Sequence, residues 1–243
     1  MSAGERIGRA MSALRGRDAR PAPDEAGELL ALNAKILGER QGFERTVREG
    51  APVDAEGRPI PWFTYPAIEY LSRFDLRGVS VFEFGCGHST LWWRRLGADV
   101  WSVEHDAGWC ERVRARSEHP DRLMFRDEEA AYAGAIDEAS EAQGGPFDIV
   151  LVDGVWRNAC VGRGLARLAD DGMVILDNSD WYADAAATLR GAGFVPIDFS
   201  GFGPINPYCW TTSVFWRVRT RLAGRIDPPD PVGGQRVEPG PMW

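Results

Sequence analysis

The chain has 243 residues, 44% of them hydrophobic, enough to bury one sizeable α/β core and too few for two full domains. Its formal charge of −8 opposes phosphate backbones, so nucleic acid is not expected as the main partner. No apolar run is long enough to span a bilayer, and the Arg-rich N-terminus lacks the apolar segment and cleavage site of a signal peptide, so a cytoplasmic protein with no membrane partner is expected.

Residues 1–23 are Arg- and Ala-rich and end in PAP, which predicts a disordered basic arm. From Asp24, DEAGELLALNAKILGER places Leu29, Leu32 and Ile36 on one helical face, and PWFTYPAIEYLSRF turns helical after Pro66, so 24–78 reads as a helical lid segment. After Gly78 short apolar runs alternate with amphipathic helices: VSVFEF and STLWWRRLG, DVWSVE and AGWCERVRAR, RLMF and EEAAYAGAIDEASEA, FDIVLV and a helix to Leu168, GMVILD and WYADAAATLRG. Near-continuous apolar strands separated by helices imply a parallel sheet covered on both faces. FVPIDFSG and TTSVFWRV follow with only a loop between them, an antiparallel pair that closes the sheet over 79–218. From Arg219, five prolines and four glycines predict a disordered tail to residue 243. Trp92, Trp93 and Phe215 are assigned to the core. Cys86, Cys110, Cys160 and Cys209 show no C-x-x-C spacing, as expected of reduced, mostly packed thiols, and the one lysine, Lys35, makes a lysine base scarce.

The stretch VFEFGCGHSTLWW sets a carboxylate in a strand, two glycines in the turn, and Ser89 and Thr90 where a helix N-cap belongs. Such a turn presents free backbone N–H groups to a ligand. A dinucleotide turn would carry G-x-G-x-x-G, but the third position here is Thr90. The E-F-G-C-G sequence, followed by Glu104 at the tip of the next strand, resembles the class I S-adenosylmethionine-dependent methyltransferases over residues 79–218. The resemblance implies a doubly wound, mostly parallel seven-stranded α/β sheet with an antiparallel final strand, and S-adenosylmethionine as cofactor. It gives Gly85 and Gly87 the close approach of backbone to cofactor, Glu83 the cofactor's ammonium and Glu104 the ribose hydroxyls. Asp127, after the third strand, is placed to take the adenine amino group, or else complements the dipole of an acidic helix start with Glu128 and Glu129. His88 and His105 line or cap the same pocket.

Asp153 ends FDIVLV, and Asp177 and Asn178 end GMVILD, which brings three oxygens to one sheet edge. Two carboxylates and an amide suit Mg²⁺, and D-N-x-x-W at 177–181 resembles the cation-dependent O-methyltransferases of catechols and caffeoyl esters. A strand-end turn feeding a helix is the plainer alternative. Those enzymes carry a lysine where Trp156 stands here. The catalytic candidates are therefore Asp153 and Asp180 as proton acceptors, beside Arg157, which stays protonated. Trp62, Phe63 and Tyr65 precede the first strand as lid or core residues, with Tyr65 best placed to reach the site. Trp181, Tyr182, Asn206, Tyr208 and Trp210 form an aromatic wall for a small-molecule acceptor. The expected activity is O-methylation of a sugar or secondary metabolite; the alternatives are a cofactor-binding module without transfer, or a metal-independent transferase.

Overall fold

The computed structural model describes residues 23–227, so the arm before Pro23 and the tail after Asp227 lie outside the described residues. Three short helices, α1 (Pro23–Lys35), α2 (Phe43–Glu49) and α3 (Tyr65–Leu71), precede the sheet. The strands are β1 (Ser80–Phe84), β2 (Asp99–Glu104), β3 (Leu123–Phe125), β4 (Phe147–Val152), β5 (Leu168–Asp177), β6 (Val195–Gly201) and β7 (Trp210–Trp216). Between them run α4 (His88–Arg95), α5 (Ala107–Arg114), α6 (Glu129–Gln143), α7 (Arg157–Ala166) and α8 (Ala183–Gly191). The strands form one seven-stranded sheet in the order β3-β2-β1-β4-β5-β7-β6. β1 to β5 are parallel, and β7 runs antiparallel to both β5 and β6. This is the doubly wound α/β sheet with an antiparallel close that the strand pattern predicts.

The apolar runs are continuous because both faces are covered, and the two-residue period of a strand sorts them. Phe82, Phe84, Val150 and Val152 face one core with Tyr132 and Ile136 of α6 and Leu189 of α8. Val81, Ile149, Leu151 and Ile175 face the other, with Leu71 of α3 and the indoles of Trp92 and Trp93 from α4. The same period turns Glu83 toward the Val81 face, beneath the first turn of α4. The order reverses between β1 and β4, which opens a crevice at their carboxyl ends.

Four local expectations change. The N-cap of α4 is Gly87, with Ser89 and Thr90 inside its first turn, because the Thr90 hydroxyl accepts from the Gly87 N–H at 3.0 Å. The helix expected to reach Leu168 ends at Ala166, and β5 begins at Leu168, earlier than GMVILD suggests, with an irregular register opposite Phe147–Ile149. Tyr65 does not reach the site: it is buried in the α4-side core, its hydroxyl without a partner among the described residues. Finally, residues 219–227, the start of the expected tail, are described and make contacts with the sheet. Leu222 is buried, Ile226 bridges to Phe74, and Thr220 donates to the Asp171 carbonyl at 2.8 Å, which ties the start of the expected tail beneath the sheet. Among the described residues no helix is long and apolar enough to cross a membrane.

Candidate functional site

The β1–α4 turn is shaped from within. Gly85 has φ 102°, where a side chain is strained, and a Cβ there would sit 2.8 Å from the Asp153 carbonyl oxygen. The turn after β1 and the turn after β4 therefore touch backbone to backbone. Gly87 differs: its backbone is extended, and a Cβ would meet only the Trp109 ring, at 3.7 Å. Nothing in the chain itself requires glycine there, so its smallness leaves room beside the turn. Trp109 donates from Nε1 to the Cys86 carbonyl at 2.6 Å and holds the turn from the α5 side.

Glu83 is buried. Its Oε2 accepts from the hydroxyls of Thr90 at 2.5 Å and Ser102 at 2.9 Å, whereas Oε1 has no hydrogen-bond partner among the described residues. Burial pushes the carboxyl up to about 7, against the pull of the Thr90, Ser89 and Ser102 hydroxyls. A buried acceptor oxygen left open in this way fits a cationic donor such as an ammonium. Glu104, also buried, ends β2; its Oε1 accepts from the backbone N–H groups of His105 at 2.8 Å and Asp106 at 2.9 Å and pairs with His105 Nδ1 at 2.8 Å. These bonds fix the carboxylate through Oε1.

The other expected cofactor residues divide. His105 faces Tyr132 at 6.5 Å and Trp156 at 6.2 Å, and Tyr132 and Trp156 stand 5.4 Å apart, so three rings gather between the ends of β2 and β4. Tyr132 is buried, its hydroxyl is without a partner among the described residues, and a Cβ on Gly154 would meet that hydroxyl. Position along the sequence does not single out Tyr132 or Trp109; an aromatic in an otherwise alanine-rich helix is the only signal of the first. His88 is instead held by Pro52 and Arg116: Nδ1 lies 2.7 Å from the Pro52 carbonyl and Nε2 lies 2.8 Å from Arg116 Nη1. An N–H on Nδ1 and a lone pair on Nε2 satisfy both, and burial lowers the ring from its ordinary value, which favours that neutral form. Asp127 is exposed in the loop after β3.

The carboxyl ends of β4 and β5 look different. Two of the three side chains assigned from sequence to a divalent ion, Asp153 and Asn178, meet a guanidinium instead. Arg157, the first residue of α7, is 8% exposed. It donates from Nε to the Gly154 carbonyl at 2.9 Å, from Nη2 to Asp153 Oδ1 at 3.1 Å, and from Nη1 to Asn178 Oδ1 at 3.0 Å and to the Asp177 carbonyl. Its Cζ lies 4.5 Å over the Tyr182 ring. Two residues with left-handed backbone, Trp156 and Asn178, both at φ 51°, aim the partners at each other. The Asp177 carboxylate turns away: Oδ1 accepts from Trp210 Nε1 at 3.0 Å and from the Thr212 hydroxyl. Asp153, Asp177 and Asn178 therefore do not form the expected Mg²⁺ set, because an internal cation takes two of the side chains and a buried strand pair takes the third. Among the described residues no cluster of three or more His, Cys, Asp or Glu is placed to hold a metal ion.

Burial raises Asp177 well above the carboxylate range, helped by the Asp153 charge. Burial also raises Asp153, to about 6, while Arg157 pulls it down. Its side chain still reaches solvent over 19% of its surface, unlike that of Asp177. Asp180 is exposed and accepts from the Thr211 N–H at 3.1 Å, which ties the loop after β5 to the start of β7. Beyond it, Trp181, 58% exposed, stands 6.1 Å from Tyr208, itself 6.0 Å from the buried Trp210.

No family model and no curated protein matches the chain. Solved structures similar to it include precorrin-6y C5,15-methyltransferase from Geobacter metallireducens GS-15, 12% identical, covering 62% of this chain and 86% of that one at a TM-score of 0.48. Cofactor-bound Rv0187 from MTB is 18% identical, covering 83% of this chain and 100% of that one at 0.47. The SAM dependent methyltransferase from Agrobacterium tumefaciens is 18% identical, covering 61% and 59% at 0.42. Identities this low say nothing of which residues bind or react.

Proposed function

We propose that the protein is an S-adenosylmethionine-dependent methyltransferase that acts on a hydroxyl group of a small molecule without a divalent metal. The observation that carries this reading is the open Oε1 of buried Glu83 beside the glycine turn, with Glu104 fixed at the next strand tip. When bound, the cofactor supplies an electrophilic methyl group on a positively charged sulfur. Glu83, Glu104 and Asp153 give the crevice the negative charge that such a cation needs. Asp153 is the proton acceptor: raised to about 6, it is ionised at neutral pH yet more basic than an exposed aspartate. Arg157 holds its Oδ1 and leaves Oδ2 for the acceptor hydroxyl. Trp181 and Tyr208 offer exposed ring faces to a flat apolar surface, such as the C–H face of a sugar ring, and the acidic surroundings favour a neutral polyol over an anion or a nucleic acid.

Calorimetric titration with S-adenosylhomocysteine and, separately, with NAD⁺ tests the class. Binding of the first in the micromolar range and no binding of the second is expected. The reverse result makes the sheet a dinucleotide binder, and silence from both refutes the cofactor assignment.

A further inference from the structure

We propose that the Arg157 guanidinium is a built-in cation standing in the seat of a divalent ion, and that removing it leaves an oxygen cage that binds such an ion. The acceptors it meets are all hard oxygens: the Asp153 carboxylate, the Asn178 amide oxygen, and the carbonyls of Gly154 and Asp177. A carboxylate, an amide and backbone carbonyls are the ligand chemistry of Ca²⁺, Mg²⁺ and Mn²⁺. Four such oxygens from the ends of two neighbouring strands do not gather around a hydrophobic side chain, since each would lose its water without replacement. They gather around a charge, and here the charge is covalently attached.

A guanidinium suits the seat for reasons an ion does not share. It is weakly hydrated and planar, and its N–H fork reaches acceptors on several sides at once, while its face stacks on Tyr182. The left-handed turn at Trp156 folds the start of α7 back over the strand ends, so the side chain enters from the helix and needs no opening to solvent. Arg157 is accordingly a positioning residue: it fixes Asp153 Oδ1 and the Asn178 amide. The proposal stands on this geometry and is independent of whether the protein transfers a methyl group.

The test uses the full chain without cofactor and Mn²⁺ as the probe, read by loss of the free-ion electron paramagnetic resonance signal. Wild-type protein is expected to leave the signal unchanged. Arg157→Ala is expected to take up one equivalent, binding about tenfold or more tighter than any wild-type uptake. Free guanidinium at non-denaturing concentration should displace that ion, and Asp153→Asn added to Arg157→Ala should abolish its binding. Arg157→Met, which keeps the aliphatic stem against Tyr182, is the second variant if alanine does not fold. The proposal is overturned if folded Arg157→Ala or Arg157→Met binds no more Mn²⁺ than wild type. It is equally overturned if wild-type protein itself binds an equivalent that Asp153→Asn removes, an arm that decides the matter when neither arginine variant folds.

Discussion

The two halves of the crevice treat their polar groups in opposite ways. At the ends of β1 and β2, Glu83 keeps one buried oxygen open and Glu104 uses one oxygen on its own backbone, leaving the other for a partner outside the chain. At the ends of β4 and β5, Arg157 answers Asp153 and Asn178, and Trp210 and Thr212 answer Asp177. An unmet buried acceptor costs free energy that a ligand can recover, whereas a satisfied one gives a ligand little to gain. The first half therefore leaves acceptor capacity open to a ligand, and the second spends its own on partners within the chain.

The largest expected effect breaks or supports that contrast through pH. The folded Glu83 value of about 7 lies above the unfolded 4.5, so between these two pH values the folded protein binds more protons than the unfolded chain. Stability falls as pH rises through this window and is level above it, by about 3 kcal/mol for this group. Asp153 and Asp177, raised as well, fall in the same direction, so the discriminating comparison is Glu83→Gln, whose denaturant midpoint should depend less on pH across the window. An ammonium bound at Oε1 lowers the carboxyl again. Calorimetry of S-adenosylhomocysteine binding near pH 7 should then show release of roughly half a proton, visible as dependence on buffer ionisation enthalpy, and none at pH 9. Glu83→Gln should show no release at either pH. Proton release of equal size in both proteins would place the ammonium elsewhere.

Glu104→Ala sharpens the same contrast at the other end of the cofactor. Affinity for S-adenosylhomocysteine should weaken by about 1–3 kcal/mol, the loss expected when a buried hydroxyl pair is left unpaired. Unchanged affinity would move the diol contact to another residue. The smallest effect belongs to His88. If its ring only joins Pro52 to Arg116, His88→Ala should cost about 1 kcal/mol of unfolding free energy and leave cofactor affinity alone. Weakened cofactor binding at unchanged stability would return His88 to the cofactor pocket.

Several of these features were legible in the residue order. Glu83 stands out because a carboxylate inside an apolar strand is buried once that strand is central, and β1 is central whenever β2 and β4 flank it. Glu104 follows from the same logic one strand on. The extent of β5 was not legible, because Asp170 and Asp171 read as a loop while their backbone joins the strand. Nor was the packing of Ile226, which lies in a proline- and glycine-rich segment and bridges to Phe74, about 150 residues away in sequence, while its neighbour Arg225 donates to the carbonyls of Asp75 and Arg77.

The residue order by itself determined the alternation of strands and helices, the closing antiparallel pair and the burial of Glu83 and Glu104, because burial period and turn chemistry act over a few neighbouring positions. Tertiary structure alone decided what Asp153, Asp177 and Asn178 meet. Each is an oxygen ligand by chemistry, and which cation it meets depends on the register of β4 against β5, on β7 bringing Trp210 and Thr212 under Asp177, and on two left-handed residues that turn Arg157 and Asn178 toward each other. A side chain's partner is set by geometry between distant segments, and no local pattern records it.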